Sequence, residues 1–122
     1  MRMTKHRKAI FSLLEQYKKP MSAEIINQEL PKNAMDLSTI YRTLDVLFDN
    51  GLVSKSNIQG TMYYQIIKNH EHHHYVMCLK CKKILEFDCH LEDQIKNFES
   101  KLNFQIIEHD LTFYGYCESC KQ

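Results

Sequence analysis

The sequence of 122 residues lacks any apolar run close to the roughly 20 residues that a membrane-spanning helix needs. It begins MRMTKHRKAIF, with charges where a signal peptide requires an apolar segment. Internal repeats and low-complexity segments are also missing. We therefore expect a cytoplasmic protein without a membrane partner, whose cysteines stay reduced and serve as ligands rather than in disulfides.

A large excess of charge of one sign is absent too, because the net charge is only +1. The two halves differ, however. Residues 1–60 hold nine Lys/Arg and six Asp/Glu, whereas residues 61–122 hold seven and nine. The second half also contains all five cysteines and six of the seven histidines. A mildly basic first half permits a polyanionic partner without requiring one.

The first half predicts three helices and a hairpin. Helical spacing of apolar residues predicts a helix from Lys5 to Tyr17, and Ser22 is a plausible N-cap for a second helix, SAEIINQEL. A third helix is expected to be capped by Ser38 and ended by Gly51, with an apolar stripe of Ile40, Leu44, Leu47 and Phe48. Two strands, LVSKS and MYYQII, flank the turn NIQG. This order is typical of a winged helix-turn-helix, although a fold alone does not establish DNA binding.

The second half predicts two strands, a helix and a long final strand. The strands are residues 72–79 and KILEF, and the helix carries Leu91, Ile95, Phe98 and Leu102 on one face. The segment NFQIIEHDLTFYGYC alternates like one long strand, with His109 on its apolar face. We expect an α+β fold, with a winged helix over residues 1–67, a small α/β domain over 68–122 and a hinge near 67–70.

Two C-x-x-C pairs lie in this half, formed by Cys78, Cys81, Cys117 and Cys120. Each pair can grip one tetrahedral ion, and together they supply the four sulfur ligands of a structural Zn²⁺ site. The alternative is a redox-active pair, which needs a βαβ unit and a helix N-terminus that neither pair has. Cys89 lies outside this scheme and is expected to be a small buried residue, with a ligand role as the alternative.

The run HEHHHYVMCLKC, residues 70–81, predicts a second metal site. On a strand, His72 and His74 point to one face and His73 to the other. Imidazole suits zinc, iron, nickel or copper, so these side chains could hold a regulatory ion. His109 needs a partner on its apolar face, which a metal or a hydrogen bond would supply, and Asp93 offers a carboxylate.

The sequence resembles the ferric uptake regulator family of bacterial metal-dependent repressors, including its zinc-uptake and peroxide-sensing branches. The resemblance covers nearly the whole chain and is carried by TKHRKAIFSLLEQYKKPMSAEII, LSTIYRTLDVLFDNGLV, the HHH…CLKC run and HDLTFYGYCESC. It implies a winged helix joined to a dimerisation domain, and a homodimer that binds palindromic operator DNA when a regulatory Zn²⁺ or Fe²⁺ is bound. It implies no enzymatic activity and no small-molecule substrate.

The resemblance also implies roles for individual residues. The four C-x-x-C cysteines are similar to structural zinc ligands, and Asp93 and His109 match ligands of the dimerisation-domain site. Tyr41 and Arg42 occupy positions of the recognition helix that face DNA, and Thr39 lies on the same polar side of that helix.

The register of the histidine run departs from the family pattern by one residue. Counted from the hinge, His72 and His74 serve the regulatory site, while Glu71 and His73 serve the site of Asp93 and His109. Counted from the first cysteine, His72 and His74 join Asp93 and His109 instead. We favour the count from the hinge, because it gives both sites usable ligands.

Two further departures concern the regulatory site and the start of the chain. Gln65 stands where many members have an acidic ligand, and Pro20 where some have histidine. Members usually carry another helix before the TKHR-like segment, so fewer phosphate contacts are expected here. The rival hypotheses are a metalloenzyme with a histidine-bound ion and a metal-buffering protein that does not bind DNA.

Overall fold

The structure is a computed structural model that describes residues 1–67 and 73–122. The chain divides into two compact units, Met1–Asn69 and His70–Gln122, called here the N-terminal and C-terminal units. The predicted hinge and the boundary after residue 67 fall largely outside the described residues and stay predictions. Over the described ranges, no helix is long and apolar enough to cross a membrane.

The N-terminal unit has the predicted three helices and hairpin. Its elements are α1 (Lys5–Tyr17), β1 (Met21–Ser22), α2 (Ala23–Glu29), α3 (Leu37–Asp49), β2 (Val53–Ile58) and β3 (Thr61–Ile66). The strands form an antiparallel sheet in the order β1-β3-β2. The hairpin turn uses Gln59 and Gly60, both with positive φ, and the Asn57 side chain accepts the Gly60 N–H at 3.0 Å. The expected winged helix-turn-helix architecture is confirmed.

The core of this unit leaves one side of α3 to solvent. Ile40, Leu44 and Leu47 are fully buried, as their helical spacing predicts, whereas Phe48, the fourth member of the predicted stripe, is exposed. They belong to a cluster that also contains Ile10, Leu14, Met21, Ala23, Ile26, Val53 and Tyr64. Burial of this stripe directs the polar face of α3 outward, where a partner can reach it.

The cap of α3 differs from the prediction. Asp36, not Ser38, is the N-cap, and its carboxylate accepts the Thr39 N–H at 2.8 Å. Ser38 lies inside the first turn, because the helix begins at Leu37, two residues before the start that a Ser38 cap would give. Hydrogen bonding from the Thr39 side chain, and then from its backbone N–H, lowers the pKa of the Asp36 carboxyl. The other two signals are confirmed: Ser22 caps α2, and Gly51 follows α3 with a φ of 73°.

The C-terminal unit is built on a second three-stranded sheet. Its elements are β4 (His73–Cys78), β5 (Ile84–Asp88), α4 (Glu92–Leu102) and β6 (Thr112–Gly115). The sheet order is β5-β4-β6, with β5 antiparallel and β6 parallel to the central strand β4. The predicted strands and helix are therefore present, within a residue or two at their ends.

The long final strand is wrong in its length, because only Thr112–Gly115 is strand. The residues before it are held by α4 instead. The Phe104 N–H donates to the Glu99 carbonyl oxygen, and the Ile106 N–H donates to the Glu99 carboxylate. Ladder pairing starts only at Tyr75↔Thr112.

The C-terminal unit exposes much of its apolar surface in a single chain. Ile107, before β6, is 86% exposed, and Phe98 on α4 is 53% exposed. The other large exposed apolar side chains of this unit are Leu85, Leu102, Phe104, Phe113, Tyr114 and Tyr116. Extensive exposure of large apolar side chains indicates an interaction face.

Candidate metal centres and nucleic-acid interface

The four predicted cysteines come together at one end of the C-terminal sheet. Cys78 ends β4, and the following turn carries Cys81. Cys117 and Cys120 follow β6, which lies parallel to β4 with Cys78 opposite Gly115. Their four sulfur atoms lie within 4.8 Å of one another, and the Cys81 and Cys117 sulfurs are 3.7 Å apart.

This geometry fits zinc. A tetrahedral ion with bonds of about 2.3 Å would set neighbouring sulfurs about 3.8 Å apart. Backbone N–H groups of Cys81 and Cys117 both point at the Cys78 sulfur, with N···S distances of 3.5 Å. Such N–H donors favour the thiolate that a metal requires.

The thiol pKa values show why a cation belongs in this group. The N–H of Cys81 does most to lower the pKa of Cys78, to about 5. A hydrogen bond with Cys120 lowers the pKa of Cys117, and the same hydrogen bond raises the pKa of Cys120 to about 12. These hydrogen bonds thus favour thiolates at Cys78 and Cys117 and oppose one at Cys120, where a divalent ion would supply the positive charge that a thiolate needs.

A second group of metal-ligating side chains contains His74, Cys89 and His109. The Nε2 atoms of the two histidines are 3.1 Å apart, and the Cys89 sulfur is 3.4 Å from His109 Nε2. His74 is only 2% exposed, while Cys89 and His109 are half-buried. Three donor atoms therefore converge beside the start of β4, and they leave room for a further ligand on an ion.

The structure decides which described histidine of the run meets His109. His74 does so, as the count from the first cysteine expects. His73, which we favoured for this role, points to the other face and lies 3.2 Å from the Asp88 carboxylate. The physical reason is strand alternation, since a shift of one residue exchanges the faces. His72 lies outside the described residues.

Two further candidate ligands are Asp93 and Cys89, and the structure places them differently from the main prediction. Asp93 is exposed on the first turn of α4 and belongs to neither donor group among the described residues. Cys89 is a donor that the sequence pattern placed only as an alternative. The signal for it was the hairpin register: pairing of His74 with Phe87 brings the residues just after β5 beside the start of β4.

The three predicted DNA-contacting residues lie on the exposed part of α3. Arg42 is exposed, and its guanidinium donates to the Thr39 hydroxyl at 3.4 Å. The Tyr41 hydroxyl donates to Glu24 of α2 at 2.9 Å, which raises the pKa of Tyr41. The helix thus presents a cation, a hydroxyl and an aromatic ring together, groups that bind phosphate and base edges.

Comparison with known proteins shows which family has this sequence pattern. The sequence model of the ferric uptake regulator family matches residues 1–114. The ferric uptake regulation protein of Vibrio cholerae is 32% identical over 114 residues, covering 88% of this chain and 76% of that protein. The protein of the same name from Legionella pneumophila is 31% identical over 125 aligned positions, covering 99% of this chain and 92% of that protein.

A solved structure agrees with these sequence matches. The iron-bound ferric uptake regulator of Francisella tularensis superimposes with a TM-score of 0.86 at 25% identity, covering 100% of this chain and 96% of that one. The winged helix, the paired cysteine turns and the histidine-bearing strand occur here in one chain. This chain belongs to the ferric uptake regulator family.

Proposed function

We propose that this chain is a metal-responsive transcriptional repressor of metal-homeostasis genes, acting as a cytoplasmic homodimer on palindromic operator DNA. The observation that carries the proposal is the combination of an exposed recognition helix with a buried imidazole that meets two further metal donors. Family membership supports the same function. No enzymatic activity is expected of it.

The exposed apolar surface of the C-terminal unit supports the homodimer. Phe98 and Leu102 on α4 are 53% and 61% exposed, so the apolar face of this helix has little cover within one chain. A second copy would bury that surface in a symmetric interface. Two copies would also present two recognition helices, which is why a palindromic site is expected.

The N-terminal unit supplies the groups for DNA binding. We assign α3 to the major groove, with Arg42 on a phosphate and with Thr39 and Tyr41 near phosphate or base edges. The hydrogen bonds from Arg42 to Thr39 and from Tyr41 to Glu24 hold these side chains before DNA arrives. Less side-chain entropy is then lost on binding.

The C-terminal unit supplies the metal response. His74 and His109, at the site that the resemblance places in the dimerisation domain, would hold the divalent ion to which DNA binding responds. That ion contributes positive charge and fixes the positions of its ligands. Because imidazole must lose its proton to bind metal, occupancy falls at low pH. Coupling between metal and DNA binding is typically about 1–3 kcal/mol, and it acts equally in both directions.

The closed cysteine group has a structural role. Its four thiolates leave no position for a substrate, and metal binding there stabilises the folded sheet. Structural zinc contributes on the order of 10 kcal/mol in small zinc domains. The C-terminal unit has few buried apolar residues of its own, so we expect it to depend on this contribution.

We predict that Cys117→Ser removes the tightly held zinc and unfolds the C-terminal sheet, while the core of the N-terminal unit persists. Elemental analysis gives the zinc content, and segment-resolved hydrogen exchange follows the two units separately. The matched control is Cys89→Ser, which keeps this zinc. Normal amide protection of β4 and β6 in zinc-free Cys117→Ser would contradict the structural role.

For the DNA face, we predict that Arg42→Ala weakens binding to all duplexes. The negative slope of log K against log salt should become shallower by about 1 for each copy of α3 bound. The phosphate contact of the guanidinium is lost, whereas Arg42→Lys retains most of the slope. The control is Lys96→Ala, on the polar side of α4. An unchanged slope in Arg42→Ala would rule out this phosphate contact.

The function itself is tested by binding duplexes, selected from a random pool, with and without added metal. Wild type should bind a selected duplex about 5- to 150-fold more tightly with metal. The variant His74→Ala/His109→Ala should remain folded and keep its structural zinc, yet its DNA affinity should no longer depend on metal.

If the wild-type protein binds no duplex from the pool even at low salt, the metal-buffering hypothesis is favoured instead. Ester hydrolysis that disappears with the two histidines would favour the metalloenzyme.

A further inference from the structure

Cys89 is the least expected member of the second donor group. It follows β5, and its sulfur lies 3.4 Å from His109 Nε2, which in turn lies 3.1 Å from His74 Nε2. All three donor atoms fall within 4.8 Å of one another. The carboxylate that the family resemblance suggests, Asp93, is absent from this group among the described residues.

The distances match the edges of a tetrahedral zinc site. With bonds of about 2.0–2.1 Å to nitrogen and 2.3 Å to sulfur, tetrahedral angles give N···N edges of about 3.3 Å and N···S edges of about 3.5 Å. The observed separations of 3.1 and 3.4 Å lie close to both values. A chain of hydrogen bonds from thiol to imidazole to imidazole also satisfies the distances, and this is the alternative that an experiment has to separate.

We propose that Cys89 is a thiolate ligand of the second metal centre and that it biases this centre towards zinc and away from Fe²⁺ and Mn²⁺. The inference rests on the proposed metal-sensing function and adds the identity of one ligand and the class of ion. Thiolate is a soft donor that favours zinc, whereas carboxylate and water suit manganese and magnesium. A donor set of two imidazoles and one thiolate therefore differs in preference from two imidazoles and a carboxylate.

The test uses Co²⁺ as a spectroscopic substitute for the exchangeable ion. Mild chelation first removes exchangeable metal from the full chain, and elemental analysis confirms that one zinc per chain remains in the cysteine group. Co²⁺ is then titrated into wild type, Cys89→Ser, Cys89→Ala and Asp93→Asn. A thiolate ligand gives an intense near-ultraviolet charge-transfer band, which nitrogen and oxygen ligands do not give.

Wild type should bind one Co²⁺ with this band. Both Cys89 variants should lose the band, and their preference for Zn²⁺ over Fe²⁺ should fall by at least about tenfold, since even loss of an outer-shell partner costs 10- to 100-fold in affinity. Two different replacements guard against a folding defect in either one, and retained structural zinc reports on the fold. Asp93→Asn should keep the band.

Four results would overturn the inference. Co²⁺ binding without the band in wild type would exclude a thiolate ligand while leaving the metal sensor intact. A band that persists in both Cys89 variants would assign the sulfur elsewhere. Loss of Co²⁺ binding in Asp93→Asn alone would return the site to a carboxylate ligand. Failure of wild type to bind any exchangeable ion would overturn the proposed function as well, so the two failures are distinguishable.

Discussion

The parallel pairing of β4 with β6 is the constraint on which the whole C-terminal unit depends. Parallel strands need a long crossover, which here runs through β5 and α4, so their register is set far along the chain. Pairing of Cys78 with Gly115 brings the two cysteine turns together at one end. At the other end the same pairing lets His109 reach His74. One register therefore builds both donor groups.

The two groups differ in the chemistry that their positions require. The cysteine group lies at one end of the sheet and offers four sulfur ligands. A structural site of this kind is expected to hold its ion with high affinity. The group around His74 has three donors and, in the proposed function, would depend on neutral imidazole, so its affinity for metal would be lower and would respond to pH. A sensing site needs that reversibility, because an ion that never leaves carries no information about its concentration.

Local patterns in the sequence predicted most of the fold. Helical spacing placed α1 and α3, and turn residues placed the hairpin, because these signals act over a few residues. The errors arose where local sequence allows two conformations and a single side-chain hydrogen bond selects one of them. Asp36 and Ser38 are both good caps, and only the observed start of α3 at Leu37 separates them. Glu99 holds the backbone after α4 by its own contacts, which strand alternation cannot reveal.

The residues of the candidate site were likewise predictable only where local sequence patterns determine their positions. C-x-x-C spacing identified the four cysteines, because each pair is complete within one turn. Alternation correctly separated His73 from His74, but the choice of face needed the register, which a shift of one residue inverts. Cys89 was predicted as a ligand only as the alternative, for a related reason. Its position beside His109 depends on how β5 pairs with β4 and on where the chain returns to the sheet after the crossover. Local sequence patterns predict neither of these features.

The most direct test of the account is whether DNA tightens metal binding. Zn²⁺ affinity of the exchangeable site would be measured by competition with a chelator, with and without a saturating selected duplex at fixed salt. If the chain couples metal to DNA, the duplex should raise zinc affinity by the same factor by which zinc raises DNA affinity, about 5- to 150-fold. Equal zinc affinity in both conditions would contradict a metal-responsive repressor, however well the chain binds each partner alone.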